Sequence, residues 1–336
     1  MSKNPSKRKP ASDKDFFLEV HRFQTTGLIG LQTAAAAAMA AAGPMVGMMR
    51  SAESDMTVYL QRLIGELTCI PKVYVDELTT ELEITLEQLM LELVLVARLR
   101  ARAPISHYRV GAVGLGTSGT LYLGFNLEFP GQSLIQTVHA EQCVVALAMT
   151  RGERGFTAVA NSEPPSGLTR QFLNELANAS DLRYLIPSRP PTTLRDLFPD
   201  FFGPEDMGAE GALLESAPHA VELAEKSEDE LVVAALEAAR RAYCPYTHCP
   251  SGVALLTGDD IYTGSYAESA AFNPSLPPLQ AALVNLAANG GRFRDIERLV
   301  LVERRPRNNT PSQEGVTRIM MDRLAPKAEF EVKHLA

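Results

Sequence analysis

Residues 137–142 of the chain read Thr-Val-His-Ala-Glu-Gln, and residues 165–171 read Pro-Ser-Gly-Leu-Thr-Arg-Gln. The first stretch places an imidazole, His139, two residues before a carboxylate, Glu141. An imidazole can bind a metal ion, and a carboxylate can transfer protons. The second stretch begins with the second proline of a Pro-Pro pair and predicts the start of another helix. Together the two stretches predict one site and the helices that carry it.

The arrangement resembles the signature H-x-E followed by P-C-x-x-C, which belongs to zinc-dependent nucleobase deaminases. In that signature one imidazole and two thiolates hold Zn²⁺, and a water molecule takes the fourth position. His139 fits the imidazole position, and Glu141 fits the catalytic position. Ser166 and Thr169 occupy the two thiolate positions, where their neutral hydroxyls are poor zinc ligands. The sequence therefore predicts a zinc site from which two ligands are missing.

The resemblance extends well beyond this signature. The chain contains, in order, the stretches TVHAEQ, RQFLNEL, LFPDFFGPEDM, CPSGVAL, YAESAAFNP and PPLQAALV. From about Ala103 to the C-terminus they are similar to the two-domain, homodimeric cytidine deaminases of bacteria and plants. The resemblance implies a duplicated three-layer α/β/α sandwich, zinc as the cofactor, and hydrolysis of cytidine or deoxycytidine to uridine or deoxyuridine in pyrimidine salvage.

The same resemblance implies which residues surround a bound nucleoside. Asn126 and Glu128 would hold the ribose hydroxyls, and Ala140 would contact the substrate. Tyr108 and Phe202 would be aromatic walls, with Phe202 reaching the site of a partner subunit. We therefore expect a homodimer.

Composition limits the classes of function. The 336 residues can bury a large core and form about two domains, and 46% hydrophobic with 21% charged residues is typical of globular proteins. A formal net charge of −8 argues against a nucleic-acid partner, because phosphate recognition needs a basic face. Four irregularly spaced cysteines are too few for a disulfide framework, so we expect a reducing, cytoplasmic location.

The N-terminal hundred residues are the part that the resemblance covers poorly. Residues 1–14 are basic and predict a disordered tail, and no charge occurs between Arg22 and Arg50. That uncharged stretch could be a membrane or targeting segment, but its alanine content favours a low-complexity helix or linker and no membrane partner. From 51 to about 101 the pattern becomes helical, most clearly where Leu82, Leu86, Leu89, Leu93 and Val96 recur at spacings of four and three.

Alternating apolar residues predict two strands, over 108–114 and 121–125, separated by a glycine turn. We expect a helix containing His139, a strand near 157–160 and a second helix over 167–177. This order predicts an α/β fold with a sheet flanked by helices. The expected segments are a helical N-terminal region (1–101), a catalytic-type deaminase domain (102–180), an exposed connector (181–228) and a degenerate second deaminase-like domain (229–336).

An internal repeat supports the second domain. Ser106-His107-Tyr108 with Gly111 reappears as Thr247-His248-Cys249 with Gly252, and Gly124 and Glu128 match Gly264 and Glu268. Continuing this match places Leu279 opposite His139 and Ala281 opposite Glu141. The second copy then keeps the scaffold without a catalytic pair, and the resemblance likewise implies a silent C-terminal duplicate.

Alternative ligands and functions stay open at this point. Cys143 lies one helical turn after His139 and could share a metal with it, although a buried apolar cysteine is the commoner case. Cys244, His248 and Cys249 resemble a metal-binding cluster. The internal repeat, however, aligns them with the entrance of a strand, far from any catalytic pair. Ser166 is suited to cap the following helix. Three hypotheses follow: a nucleoside-binding homologue without zinc catalysis, an active deaminase with a non-standard metal site, and a structural or heterodimerising protein.

Overall fold

The computed structural model describes residues 55–307 and 309–336. The predictions for the basic tail and the alanine-rich stretch lie outside these residues. Residues 55–65 belong to one compact unit, which contains α1 (Asp55–Ile64), and residues 66–336 form another. Over the described ranges, no helix combines the length and the apolar character needed to cross a membrane.

A six-stranded sheet forms the first half of the larger unit. Its order is β1-β3-β2-β4-β5-β6, and of these neighbours only β4 and β5 are parallel. The strands are β1 (Cys69–Ile70), β2 (Gly111–Gly116), β3 (Leu121–Phe125), β4 (Phe156–Asn161), β5 (Arg183–Leu185) and β6 (Thr192–Thr193). The helices of this half are α2 (Lys72–Glu81), α3 (Leu86–Leu99), α4 (Ala140–Thr150), α5 (Gly167–Leu173) and α6 (Leu194–Leu197).

A four-stranded sheet forms the second half. Its strands are β7 (Gly252–Thr257), β8 (Asp260–Ser265), β9 (Arg298–Arg304) and β10 (Glu329–Leu335), and its helices are α7 (Glu230–Arg240), α8 (Pro278–Ala288) and α9 (Glu314–Leu324). The order β10-β9-β7-β8, with β9 and β10 parallel, repeats the order β5-β4-β2-β3 of the first sheet. The predicted duplicated α/β fold is therefore confirmed.

Helices cover both faces of the first sheet. A Cβ atom on Gly111 would lie 2.3 Å from the Val94 carbonyl oxygen of α3, whereas one on Gly114 would lie 2.5 Å from the Val144 side chain of α4. Residues three apart in a strand point to opposite faces. The order of layers is therefore helix, sheet and helix.

The glycines of the repeat are needed where a strand touches a helix. A Cβ atom on Gly124 would lie 2.2 Å from the Ala140 carbonyl oxygen of α4, and one on Gly264 would lie 2.2 Å from the Ala282 backbone nitrogen of α8. Backbone atoms cannot rotate away as a flexible side chain can. Each half thus uses glycine to bring its sheet close to the central helix.

We expect Gly124→Ala to lower the free energy of unfolding by about 2–3 kcal/mol, because the added methyl overpacks a site with no free space. Urea denaturation would measure this loss. The control is Gly315→Ala in α9, where nothing lies within 4 Å of the added methyl. There the substitution should be neutral or stabilising, because alanine has the higher helix propensity. Equal effects at both positions would contradict the packing argument.

The hydrogen bonds of the two halves correct one detail of the predicted repeat. In the first half Val138 N donates to the Leu127 carbonyl oxygen (2.9 Å), and in the second half Leu276 N donates to that of Ala267 (2.7 Å). Val138 therefore corresponds to Leu276, which places Pro277 opposite His139.

It follows that Leu279, and not Ala281, lies opposite Glu141. The predicted pairing was wrong by two residues, because the loop before the central helix is two residues shorter in the second half. The second copy still has no catalytic pair.

The long N-terminal helix begins later than the leucine spacing suggested. The Thr85 hydroxyl accepts from Gln88 N (3.2 Å), and the Gln88 side chain accepts from Thr85 N (2.8 Å). This capping box starts α3 at Leu86 and leaves Leu82 in the preceding turn. The helix packs on the first sheet as α7 packs on the second. The predicted domain boundary at residue 101 would therefore separate α3 from the sheet on which this helix packs.

The segment expected to be an exposed connector begins inside the sheet. Its residues 183–185 form β5, which pairs in parallel with β4, and the Tyr184 side chain is fully buried. The prolines that suggested a connector, at positions 187, 190 and 191, all follow this strand. A three-residue strand carries too little alternation for the sequence pattern to reveal it.

Candidate active site

The two residues at the centre of the sequence analysis lie at the N-terminus of α4. His139 directly precedes the helix, and its backbone nitrogen donates to the Gln142 side chain (3.0 Å). Glu141 lies in the first turn and is only 2% exposed. Burial lowers the pKa of His139, and the nearby charge of Glu141 opposes this shift. The imidazole is therefore favoured in its neutral form.

The second half of the protein holds this helix in place. The Gln142 amide donates to the Pro274 carbonyl oxygen (2.8 Å), just before α8. In the reciprocal contact the Gln280 amide of α8 donates to the Gln136 side chain (2.6 Å), just before α4. Each central helix is thus bonded to the loop that leads into the other. The second half therefore anchors the helix that carries His139 and Glu141.

A buried polar network surrounds Glu141. Its Oε1 atom accepts from the Asn161 amide (2.5 Å) and from the Tyr184 hydroxyl (3.0 Å). The Asn161 amide also donates to the Tyr184 hydroxyl oxygen (3.2 Å). Asn161 ends β4 and Tyr184 lies on the neighbouring strand β5. The carboxylate is therefore fixed by two side chains of the sheet.

The serine and threonine at the thiolate positions lie at the start of α5, which packs against α4. The Ser166 hydroxyl accepts from Thr169 N (3.2 Å), as predicted for an N-cap. The Thr169 hydroxyl donates to the Ser166 carbonyl oxygen (3.1 Å). Both hydroxyls thus have partners within the first turn of α5.

The side chains of His139, Ser166 and Thr169 do not form a suitable set of zinc ligands. Besides the one imidazole, it offers two neutral hydroxyls where the metal needs deprotonated, soft ligands. The described ranges contain no group of three His, Cys, Asp or Glu side chains that could hold a metal ion.

The cysteines of the chain do not supply the two missing zinc ligands. Cys143 is completely buried, and burial raises the pKa of its thiol to about 12. The Cys244 thiol, whose pKa burial likewise raises to about 12, contacts only one imidazole, that of His219 (3.4 Å). The Cys249 thiol donates to the Thr247 carbonyl oxygen (3.3 Å). A thiolate is therefore costly to form at Cys143 and at Cys244.

The two residues expected to hold the ribose lie beside the start of α4, because Leu127 between them pairs with Val138. In this structure both also hold the turn that carries Tyr108. The Asn126 side chain accepts from Val110 N (2.9 Å) and donates to the Tyr108 carbonyl oxygen (3.0 Å). The Tyr108 ring is 52% exposed at this turn.

The carboxylate of Glu128 closes the other end of this turn. It accepts from the backbone nitrogens of Ile105 (2.8 Å) and Ser106 (3.0 Å), and from the Ser106 hydroxyl. Burial opposes ionisation of Glu128, but these hydrogen bonds outweigh it and lower its pKa. Glu268 holds the equivalent turn of the second half in the same way. The carboxylate thus has a structural role that is independent of any ligand.

Phe202 lies on the loop after α6. Its carbonyl oxygen accepts from the Gln171 amide (3.0 Å) of α5 and from the Asn174 amide (3.2 Å) just beyond that helix. The residue as a whole is 43% exposed. The helix that Ser166 caps, together with the residue just beyond it, therefore also fixes the backbone that presents this aromatic side chain.

The sequence analysis missed Asn161 and Tyr184. Asn161 directly follows the strand predicted near 157–160, and a polar residue at the end of a strand that adjoins the site was an available signal. Tyr184 gave no such signal, because it was placed in the expected connector. Its contact with Glu141 joins residues far apart in the chain and depends on the strand order.

Two parts of the chain match the family described as "Cytidine and deoxycytidylate deaminase zinc-binding region": residues 84–176 and residues 194–318. The chain is 46% identical over 232 residues to the cytidine deaminase of Vibrio vulnificus, covering 69% of this chain and 78% of that protein. It is 47% identical over 219 residues to that of Salmonella agona, covering 65% and 74%.

Solved structures of cytidine deaminases also match. The crystal structure from Mycobacterium tuberculosis matches at 32% identity, with a TM-score of 0.32, over 34% of this chain and 96% of that one.

Proposed function

Because the chain belongs to the cytidine and deoxycytidylate deaminase family, we propose that it binds cytidine or deoxycytidine without carrying out the family's zinc-dependent deamination. The observation that carries this proposal is the state of the two thiolate positions. Ser166 and Thr169 cap α5 with hydrogen bonds to each other's backbone, and so supply no metal ligand. The fold of this helix start needs no metal.

Nucleoside binding is supported by the residues that remain around the start of α4. Asn126 and Glu128 lie beside His139 through the pairing of Leu127 with Val138, and the half-exposed Tyr108 is held at their turn. These groups offer an aromatic surface and polar atoms on a rigid scaffold, which is the usual composition of a small-molecule site. Ala140 lies at the first position of α4, between His139 and Glu141.

A second candidate function is deamination at a non-standard metal site. It is favoured by Glu141, a carboxylate placed in the first turn of α4 and held by two donors, as a proton-transferring group would be. The available metal ligands do not support this candidate, since neither Cys143 nor Cys244 with its neighbour His219 supplies the missing zinc ligands. Turnover measurements separate the two candidates.

We further propose that the protein acts as a homodimer. The exposed ring of Phe202, on a backbone clamped by Gln171 and Asn174, is suited to contact a second subunit. Leu134 and Ile135, in the loop before α4, are 64% and 60% exposed and offer further apolar surface near the site.

The proposed function predicts that cytidine stabilises the purified protein in the absence of metal. A ligand that binds only the folded state adds about 2.7 kcal/mol at one hundred times its Kd, which raises the Tm by several degrees. The measurement is a thermal shift with cytidine in the presence of EDTA. Tyr108→Ala should reduce the shift, whereas Val233→Ala, at an exposed apolar position on α7, should not. If cytidine gives no shift, the structural or heterodimerising alternative would be favoured.

A further inference from the structure

The hydrogen bonds around Glu141 are unequally divided between its two oxygens. Oε1 accepts from both Asn161 and Tyr184, whereas no described residue donates to Oε2. A carboxylate oxygen can accept more than one hydrogen bond, and Oε2 is not fully enclosed by the described residues, so a bound molecule can reach it. The structure therefore leaves one acceptor at the site for a ligand to satisfy.

The direction of the Tyr184 hydroxyl is fixed by its neighbours. Its oxygen accepts from the Asn161 amide, so its own proton is directed to Glu141. Burial, together with the charge of Glu141, raises the pKa of Tyr184 well above its ordinary value, so the phenol stays a donor. The ring is fully buried on β5 and contributes no surface to the site. Its effect on a ligand must pass through Glu141.

We propose that Tyr184 is a positioning residue that fixes Glu141 so that its free oxygen accepts a hydrogen bond from the exocyclic amino group of a cytosine base. This inference rests on the proposed nucleoside binding. A ribonucleoside of pyrimidin-2-one keeps the ring nitrogens and the sugar of cytidine but has no amino group to donate. The unaltered chain should therefore bind cytidine more tightly, because the analogue would cover this oxygen without donating to it.

The chain offers a matched control for this residue. Tyr122 on β3 is also buried, and its hydroxyl donates to Oε2 of Glu153 (3.1 Å). It lies at the end of β3 remote from Asn126. Tyr122→Phe and Tyr184→Phe thus remove the same kind of hydrogen bond from a buried carboxylate, but only the second touches Glu141.

The experiment is calorimetric titration of the full chain and both variants with cytidine and with the pyrimidin-2-one ribonucleoside. We expect the unaltered chain and Tyr122→Phe to prefer cytidine by about tenfold, and Tyr184→Phe by about threefold or less. A purely structural role of Tyr184 would weaken both ligands equally and leave this ratio unchanged. A Tyr184→Phe variant that retains the tenfold preference would overturn the proposal.

Thermal unfolding separates this inference from the proposed function. If Tyr184 holds Glu141, the losses of Tm in Tyr184→Phe and in Glu141→Gln should not add in the double variant. Additive losses would refute the positioning role, whatever the titrations show. If the losses are not additive but the unaltered chain binds neither nucleoside, the proposed function and the base preference fail while the contact itself stands.

Discussion

Replacing both Ser166 and Thr169 by cysteine is expected to turn the chain into a zinc protein. The two thiolates would lie at the start of α5, where unpaired backbone N–H groups favour negative charge, and would bind the metal together with His139, which precedes α4. Thr169 is fully buried and differs little from cysteine in volume, so the helix should keep its position. Structural zinc sites built from cysteine and histidine bind with apparent free energies of about 10–16 kcal/mol, which shows how strongly thiolates hold this metal. Metal analysis after desalting should find about one zinc per chain in the variant and almost none in the unaltered protein.

The control for this gain is the double variant Ser166→Ala/Thr169→Val, which changes the same positions without adding a ligand. It should remain free of zinc and lose about 1 kcal/mol of stability with the helix cap. If the cysteine variant folds but binds no zinc, the backbone around His139 and α5 has moved away from the family's geometry. In that case the loss of two ligands would not explain the chemistry of this site.

Glu175→Ala is expected to be the most destabilising single substitution that the structure suggests. Glu175 is completely buried just after α5. Its carboxylate accepts hydrogen bonds from the second half: from the hydroxyls of Tyr243 (3.0 Å) and Tyr246 (2.5 Å) and from the backbone nitrogen of Ala270 (2.7 Å). Removing the carboxylate leaves these donors unpaired between the two halves, which should cost about 4 kcal/mol. Urea denaturation would measure the loss, with Glu87→Ala as the control.

Glu87 forms an exposed ion pair with Arg183, so its removal should cost less than about 1 kcal/mol. A similar loss at both positions would show that Glu175 does not join the halves.

Glu175 also predicts a direction of pH dependence. Burial raises the pKa of this carboxyl above its ordinary value near 4.5, and hydrogen bonds from Tyr246, Ala270 and Tyr243 only partly oppose the shift. The folded state then binds a proton more tightly than the unfolded state. Its contribution to stability is full below about pH 4.5 and is lost as the pH rises through the folded-state pKa.

The isosteric variant Glu175→Gln has no such titration. The stability of the unaltered chain relative to this variant should therefore fall as the pH rises from 4 to 7. Denaturation midpoints at several pH values would check the sign, and a rise over that range would contradict the assignment of Glu175 as a buried carboxyl with a raised pKa.

Much of the fold could be predicted because its signals are local and repeated. Gly111 and Gly124 mark positions where a strand touches a helix, and their counterparts in the second half indicate the duplication from the sequence alone. The helix cap at Ser166 was predictable for the same reason, since it involves residues three apart in the chain. The start of α3 could also have been read from Thr85 and Gln88, which satisfy the capping-box pattern.

The contacts that complete the site could not be predicted in this way. Tyr184 reaches Glu141 only because β5 pairs in parallel with β4, and a three-residue strand has no sequence pattern that would predict this pairing. The correspondence of Glu141 with Leu279 was missed because a shortened loop changes the offset without a mark in the local pattern. The structural role of Glu128 is visible only once the turn at Ser106 is folded. Each of these depends on contacts between distant parts of the chain.

The most direct test of this account is the conversion of cytidine to uridine by the purified protein with added zinc. The assay should be run beside Glu141→Gln and the variant with cysteines at positions 166 and 169. We predict that the unaltered chain shows no turnover above Glu141→Gln, and that turnover appears when the two thiolates are restored. Turnover by the unaltered chain that disappears in Glu141→Gln would contradict the account and require a metal site built from other ligands.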